Sequence, residues 1–207
     1  MKILYGTANP AKIQHMREML KGLDVEIIGL NDIKLEIGKI DESGNNPLEN
    51  AKIKANAYYK AYKMPLFSCD SGLYIEKIEN LENQKQPGVH VRRVNGKELS
   101  DEEMIEYYTS VAIKLGGSAR ARYKNAICLI LNKECIFEYD GDDIGSEIFI
   151  ISSKPHEKRE NGFPLDSISV DIKSGKYYMD LRDCVDEKND ACPGRGFRKF
   201  FSGVLNG

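Results

Sequence analysis

The spacing of apolar residues changes period several times along the chain, and each change marks an element. Lys2 to Gly6 is a short apolar run read as a buried strand, and the polar loop Thr7-Ala8-Asn9-Pro10-Ala11-Lys12 follows it. Ile13, Met16, Leu20 and Leu23 then recur at helical spacing, with Asn9 as a natural N-cap and Pro10 as a natural first helical residue. Val25 to Leu30 reads as a second strand, which makes the opening a β-α-β unit with a parallel pair. Asp41 to Gly72 runs from a polar loop (Glu42, Ser43, Gly44) into a helix and then a short apolar strand ending at Cys69-Asp70-Ser71-Gly72. Asn46 and Glu49 fit an N-cap and N3 pair around Pro47. Leu48, Ala51, Ala55, Tyr58 and Tyr62 form the buried stripe, and Asn50 and Lys54 share the stripe beside it.

Leu73 to Ile78 continues as a strand, and a polar loop then leads to Pro87-Gly88, His90, Arg92 and Arg93. Ser100 and Glu103 make a capping box for a helix whose inner face carries Met104, Ile105, Tyr108, Val111, Ala112 and Leu115, and Gly116-Gly117 ends it. From Ala119 the period becomes two, Ala126 to Leu131 is continuously apolar, and Asn132-Lys133 turns the chain into an antiparallel hairpin with Glu134 to Tyr139. Glu147 to Ser152 is a further strand. Asn161 to Asp166 reads as an exposed apolar turn closed by an acid, and Ser174-Gly175 joins two strands, Ser167 to Ile172 and Lys176 to Met179. Phe197, Phe200, Phe201 and Leu205 pack down a last helix. The pattern predicts one α/β unit with a mainly antiparallel middle section, without repeats or a separable linker.

Composition narrows the function classes. A net charge of −2 over 207 residues argues against a broad nucleic-acid or membrane surface and leaves room for a local basic pocket. No leader pattern and no apolar run of membrane-spanning length is expected. The cysteines (Cys69, Cys128, Cys135, Cys184, Cys192) are odd in number and include no C-x-x-C pair, so reduced thiols fit better than a disulfide framework or a zinc site.

Three places carry candidate chemistry. The Thr7 to Lys12 loop stands between strand and helix, where free N–H groups and a positive dipole end meet an anion, with Lys12 able to fold back; it is no Walker loop, and a simple helix cap explains it too. Glu42, Lys54 and Asp70 can converge on one phosphate-metal site, or be the solvated charges of a capped helix and a turn. Arg92 and Arg93 can hold phosphate oxygens or stand in solvent. His90 reads as a packed or surface histidine, and Gly141-Asp142-Asp143 lacks the spacing of a calcium loop and reads as a turn.

Five segments in order resemble the inosine triphosphate pyrophosphatase (Ham1-like) family. Thr7, Asn9 and Lys12 match its Thr/Ser-x-Asn-x-x-Lys loop. Glu42, Ser43, Gly44, Glu49, Asn50, Ala51, Lys54 and Ala55 match its Glu-Thr-Gly-x-Thr-Phe-x-Glu-Asn-Ala-x-x-Lys-Ala segment, the most specific part. Asp70-Ser71-Gly72-Leu73, Pro87-Gly88-Val89 with Arg92 or Arg93, and Glu187-Lys188-Asn189 match three more. The resemblance implies an α/β fold with a mixed sheet in two lobes flanked by helices around a central cleft, residues 1–207 being a single domain. It implies Mg²⁺-dependent hydrolysis of non-canonical purine nucleoside triphosphates to monophosphate and pyrophosphate by a homodimer, which the reduced cysteines place in the cytoplasm. On the same basis Glu42 and Asp70 hold Mg²⁺, Asp70 activates water beside Lys54, and Thr7, Asn9, Lys12, Ser71, Arg92, Arg93, Phe163, Asp166, Lys188 and Arg195 bind substrate.

The departures fall at two places. Cys69 stands where most relatives have an acid, which removes one negative charge near the metal. At the base end, Phe163-Pro164-Leu165-Asp166-Ser167 replaces Phe-Gly-Tyr/Trp-Asp-Pro, and Cys192-Pro193-Gly194-Arg195 replaces Ser-His-Arg. A lost stacking partner and a lost donor each weaken base discrimination by about 1–3 kcal/mol. The alternatives are therefore a pyrophosphatase of altered base specificity and a catalytically impaired nucleotide sensor of the same fold. The related Maf-type class opens with a Ser-Pro-Arg-Arg loop, which this chain lacks.

Overall fold

The computed structural model describes residues 1–33, 37–38, 40–82, 85–181 and 194–206. The elements are β1 (Lys2–Tyr5), α1 (Pro10–Met19), β2 (Glu26–Gly29), α2 (Pro47–Tyr62), β3 (Leu66–Ile75), β4 (Arg93–Val94), β5 (Lys97–Glu98), α3 (Asp101–Lys114), β6 (Ser118–Ile130), β7 (Ile136–Tyr139), β8 (Phe149–Ser152), β9 (Ser169–Asp171), α4 (Tyr178–Leu181) and α5 (Arg195–Asn206), with short 3-10 turns between. They fall into two compact units. The first holds Met1–Ser71, Lys124–Gly145 and α5; the second holds Gly72–Tyr123 and the chain from Ser146 through α4. The long strands β3 and β6 each lend residues to both.

In the first unit β1 lies between β2 and β3 and runs parallel to both, as the β-α-β pattern predicts. β6 follows β3 in the order, and β7 folds back on β6 antiparallel, with Ile127 opposite Tyr139 and Ile130 opposite Ile136. The sheet is therefore mixed. Alternation along its strands sorts side chains onto two faces. Ile3, Tyr5, Phe67, Ile127 and Leu129 face α1 and α5, where Ile13, Met16, Phe197 and Phe201 cover them. Leu4, Leu66, Cys128 and Ile130 face α2 and meet Ala51 and Ala55. Both helix starts are fixed locally. Asn9 Oδ1 accepts from the Ala11 and Lys12 amides, and Asn46 Oδ1 from the Glu49 amide at 2.9 Å. Glu49 reaches back one residue beyond the N-cap and accepts from the Asn45 amide at 2.8 Å.

The start of α5 crosses Asp143 and Ile144 so closely that a Cβ on Gly196 would stand 2.1 Å from the Asp143 carbonyl oxygen. Alanine inside a helix gains about 1 kcal/mol over glycine, but a backbone clash of this depth costs about 1–3 kcal/mol. Gly196→Ala is thus expected to lower stability by up to about 2 kcal/mol, read from the midpoint of urea unfolding.

In the second unit β6, β8 and β9 are antiparallel, with Ala119 opposite Ile151 and Ile150 opposite Val170. Helix α3 starts at the expected Ser100–Glu103 capping box and lays Met104, Ile105, Tyr108, Val111 and Ala112 over Phe149 and Ile151. β4 and β5 form a small hairpin around Asn95 and Gly96, whose φ angles of 51° and 80° are those of a tight mirror-image turn; the Asn-Gly pair carries that signal in the sequence.

Three expectations are corrected. Cys69 to Gly72 is no turn, because β3 runs straight through it. The glycine answers a different need: Leu73 bridges Gly88, and a Cβ on Gly72 would lie 3.1 Å from the Gly88 carbonyl carbon. The apolar turn after Asn161 is covered, since Pro164 and Leu165 are buried and the turn packs on α3. The strand expected at Lys176 to Met179 is a single bridge from Tyr177 to Val170, after which α4 begins.

Candidate active site

Four segments of the first unit converge at one end of its sheet. β1 runs out into Gly6, whose amide donates to the Phe67 carbonyl at 2.8 Å. A Cβ there would meet the Tyr58 ring at 2.6 Å, so only glycine lets α2 close over the loop. Thr7 Oγ1 accepts from the Asn9 amide at 3.2 Å, and Asn9 caps α1, so both side chains shape the loop itself. Lys12 follows in the first turn of α1. It keeps exposed surface, yet its pKa is lowered by desolvation first and Lys54 second, against the opposing pull of Asp70, Cys69 and Glu42. Two cations and two carboxylates therefore share one field.

Lys54 is the hub. Its Nζ donates to Asp70 Oδ1 at 2.8 Å and stands 3.9 Å from Glu42 Oε2. The Lys54 and Asp70 side chains are only 12% and 15% exposed, so water screens this pair weakly. The other Asp70 oxygen, Oδ2, is buried and has no hydrogen-bond partner. A buried carboxylate oxygen left bare costs free energy unless something binds it. The helix face explains the grouping: Asn50 and Lys54 lie one turn apart on α2, toward the face of β3 that carries Ser68 and Asp70.

Cys69 points to the opposite face, packs against the α1–α5 core and hydrogen-bonds with the Tyr5 hydroxyl. Burial pushes its thiol up to about 12, against the opposing effects of Lys54, Tyr5 and Lys12. The linkage sign is fixed by the direction. An unfolded thiol releases its proton near its ordinary value of 9.0, while the folded one keeps it to about 12. Between those values the folded state binds more protons, so stability falls as pH rises. We expect a loss of about 1 kcal/mol per pH unit above pH 9, and Cys69→Ala should flatten that slope in urea melts across this range.

Mg²⁺ prefers hard oxygens and commonly takes only one or two carboxylates, with substrate phosphates completing its shell. Among the described residues no group of three or more His, Cys, Asp or Glu is arranged around a metal position. The orphaned Asp70 Oδ2 and the Glu42 carboxylate nonetheless form an acceptable two-carboxylate set.

The remaining predicted residues are distributed as follows. Ser71 is half-buried at the end of the first unit's share of β3, and Arg195 is exposed at the start of α5. Arg92 belongs to the second unit, where it donates to the Leu99 carbonyl at 2.9 Å and to Asp101 Oδ1 at 2.7 Å, a structural tie to the start of α3. Arg93 is exposed on β4. Phe163 caps the 3-10 turn Pro164–Ser167 of the second unit and Asp166 lies within it, close enough to Tyr123 and Tyr178 to raise both phenols further. Lys188 and the Cys192-Pro193 pair lie outside the described residues. Sequence reasoning missed Tyr5, Tyr58 and Asn50 as site neighbours. Only Asn50 left a trace, as an amide among buried helix positions.

The fold and site define a mixed α/β protein whose first unit holds a lysine-bridged pair of carboxylates beside a second lysine. Comparison with known proteins places it: the Ham1 family model matches residues 3–181, and the chain belongs to that family. A dITP/XTP pyrophosphatase of Campylobacter jejuni subsp. doylei is 32% identical over 198 residues, covering 92% of this chain and 90% of its own. One from Malacoplasma penetrans is 31% identical over 147 residues, covering 69% and 70%. The solved structure of a HAM1 protein from Coxiella burnetii superposes with a TM-score of 0.72 at 26% identity, over 100% of this chain and 98% of that one.

Proposed function

We propose that this chain hydrolyses nucleoside triphosphates to a monophosphate and pyrophosphate with the help of Mg²⁺, the carrying observation being the Glu42–Lys54–Asp70 constellation with its unpartnered Asp70 oxygen. The names of the relatives, dITP/XTP pyrophosphatases, support triphosphate anhydrides as the substrate class. Glu42 and Asp70 would hold the ion, and when bound it supplies Lewis-acid charge against the phosphoryl oxygens. The Asp70 carboxylate, oriented by the Lys54 ammonium, is the group assigned to take the proton of the attacking water. Lys54 and Lys12 hold phosphate oxygens, and the Thr7 to Lys12 loop offers backbone donors at the start of α1. Ser71, Arg93 and Lys188 are assigned to the same substrate, and Phe163, Asp166 and Arg195 to its base. Arg92, tied to Asp101, fits a supporting role better than a phosphate contact. Homodimeric assembly, taken from the family resemblance, and a cytoplasmic setting, taken from the cysteine usage, complete the reading.

The rewritten base end favours one second reading, hydrolysis with altered base preference. A panel of canonical and deaminated triphosphates, with pyrophosphate and orthophosphate measured apart, tests both. Pyrophosphate release is expected from at least one deaminated purine triphosphate. Stepwise orthophosphate release, or tight binding without product, would sink the proposal.

A further inference from the structure

Asn50 is buried to 2% exposure at the end of the first turn of α2. Burying an amide without a partner costs about 1–3 kcal/mol, so the hydrogen bond it makes should explain its presence. Its Oδ1 accepts from the Gly44 amide at 2.8 Å. The loop is pressed onto that contact. A Cβ on Gly44 would lie 2.6 Å from the same Asn50 oxygen and 2.7 Å from Glu49 Cβ. The next amide, Asn45, donates to Glu49. Two successive loop amides are thus pinned to side chains of α2, and Glu42 stands two residues upstream with its carboxylate 3.9 Å from Lys54 Nζ. Asn50 and Lys54 are one helical turn apart, so one rigid helix carries both the anchor of the loop and the cation that Glu42 faces. Aspartate at 50 would accept the same bond but add a buried negative charge close to the carboxylates of Glu42 and Glu49. Glutamine would push the loop outward.

Resting on the function proposed above, we infer that Asn50 is a positioning residue: through the Gly44 amide it sets where the Glu42 carboxylate stands, and hence how well the site holds a divalent ion with its phosphates. The test follows Mn²⁺ by electron paramagnetic resonance in the presence of inorganic pyrophosphate, so it does not depend on turnover. Asn50→Ala and Gly44→Ala should each weaken Mn²⁺ binding by about 10- to 100-fold, the usual effect of removing a group that orients a ligand. Gly44→Ala attacks the contact from the loop side and serves if Asn50→Ala does not fold. The deciding variant is the double, Asn50→Ala with Glu42→Gln. If Asn50 acts through Glu42, the double binds Mn²⁺ within about twofold of Glu42→Gln alone. Multiplying losses, or unchanged Mn²⁺ binding in Asn50→Ala and Gly44→Ala, would overturn the inference while leaving an active wild type and the proposed function standing. A wild type that neither binds Mn²⁺ with pyrophosphate nor cleaves any triphosphate would overturn both.

Discussion

Replacing Asp70 by asparagine is expected to cut pyrophosphate release by about 10²- to 10⁴-fold, the usual contribution of a placed general base. The substitution keeps shape and volume, and the amide oxygen can still accept from Lys54 Nζ, now 2.8 Å from Oδ1. The change falls on the other oxygen. Oδ2 is buried and bare, and an NH₂ group in its place can neither accept a proton nor bind a cation. Stability should drop by only about 1–2 kcal/mol, as an ion pair becomes a charge–dipole hydrogen bond. Single-turnover release of pyrophosphate, set beside a urea melt of the same preparation, separates the two effects. A variant that retains activity within about threefold would remove Asp70 from the proton-transfer role.

Lys54→Ala should damage both quantities. Its ammonium neutralises Asp70 directly and Glu42 across 3.9 Å. Without it, two acids share a poorly screened site with no cation between them. Breaking a fully buried pair costs about 3–5 kcal/mol; with side chains at 12% and 15% exposure, about 1–3 kcal/mol is expected here. Activity should fall by at least about 10²-fold, because a donor aimed at phosphate oxygens is lost as well. Lys54→Arg is the informative companion. It restores charge but spreads it over a planar fork, so stability should recover more than turnover. Full recovery of turnover would show that charge alone, not placement, is what position 54 supplies.

What could be read in the chain beforehand was the local part. The Asn9 and Asn46 caps, the Ser100–Glu103 box and the β6–β7 hairpin are decided by residues a few positions apart, and each stands where the pattern put it. The errors arose where a distant segment overrides a local signal. Asp70-Ser71-Gly72 has the composition of a turn, but Gly88 pairs beside it and the strand continues. Phe163 to Asp166 looks exposed until α3 covers it. For the site, the residue types at Glu42, Lys54 and Asp70 were legible, and so was their order. That one ammonium bonds Asp70 and stands 3.9 Å from Glu42 is a fact of the fold, fixed by the meeting of α2 and β3.

The unbroken course of β3 sets limits on how this protein can diversify. Leu66, Ser68 and Asp70 share one side of the strand, and Phe67 and Cys69 share the other. Point substitution can exchange a thiol for an acid at 69 and leave its neighbours in place. A single-codon insertion or deletion between 66 and 70 would instead turn Asp70 into the core and bring Cys69 or Ser71, neither of them an acid, to Lys54. Descendants of this chain are therefore free to vary the letters of that segment but are held to its length.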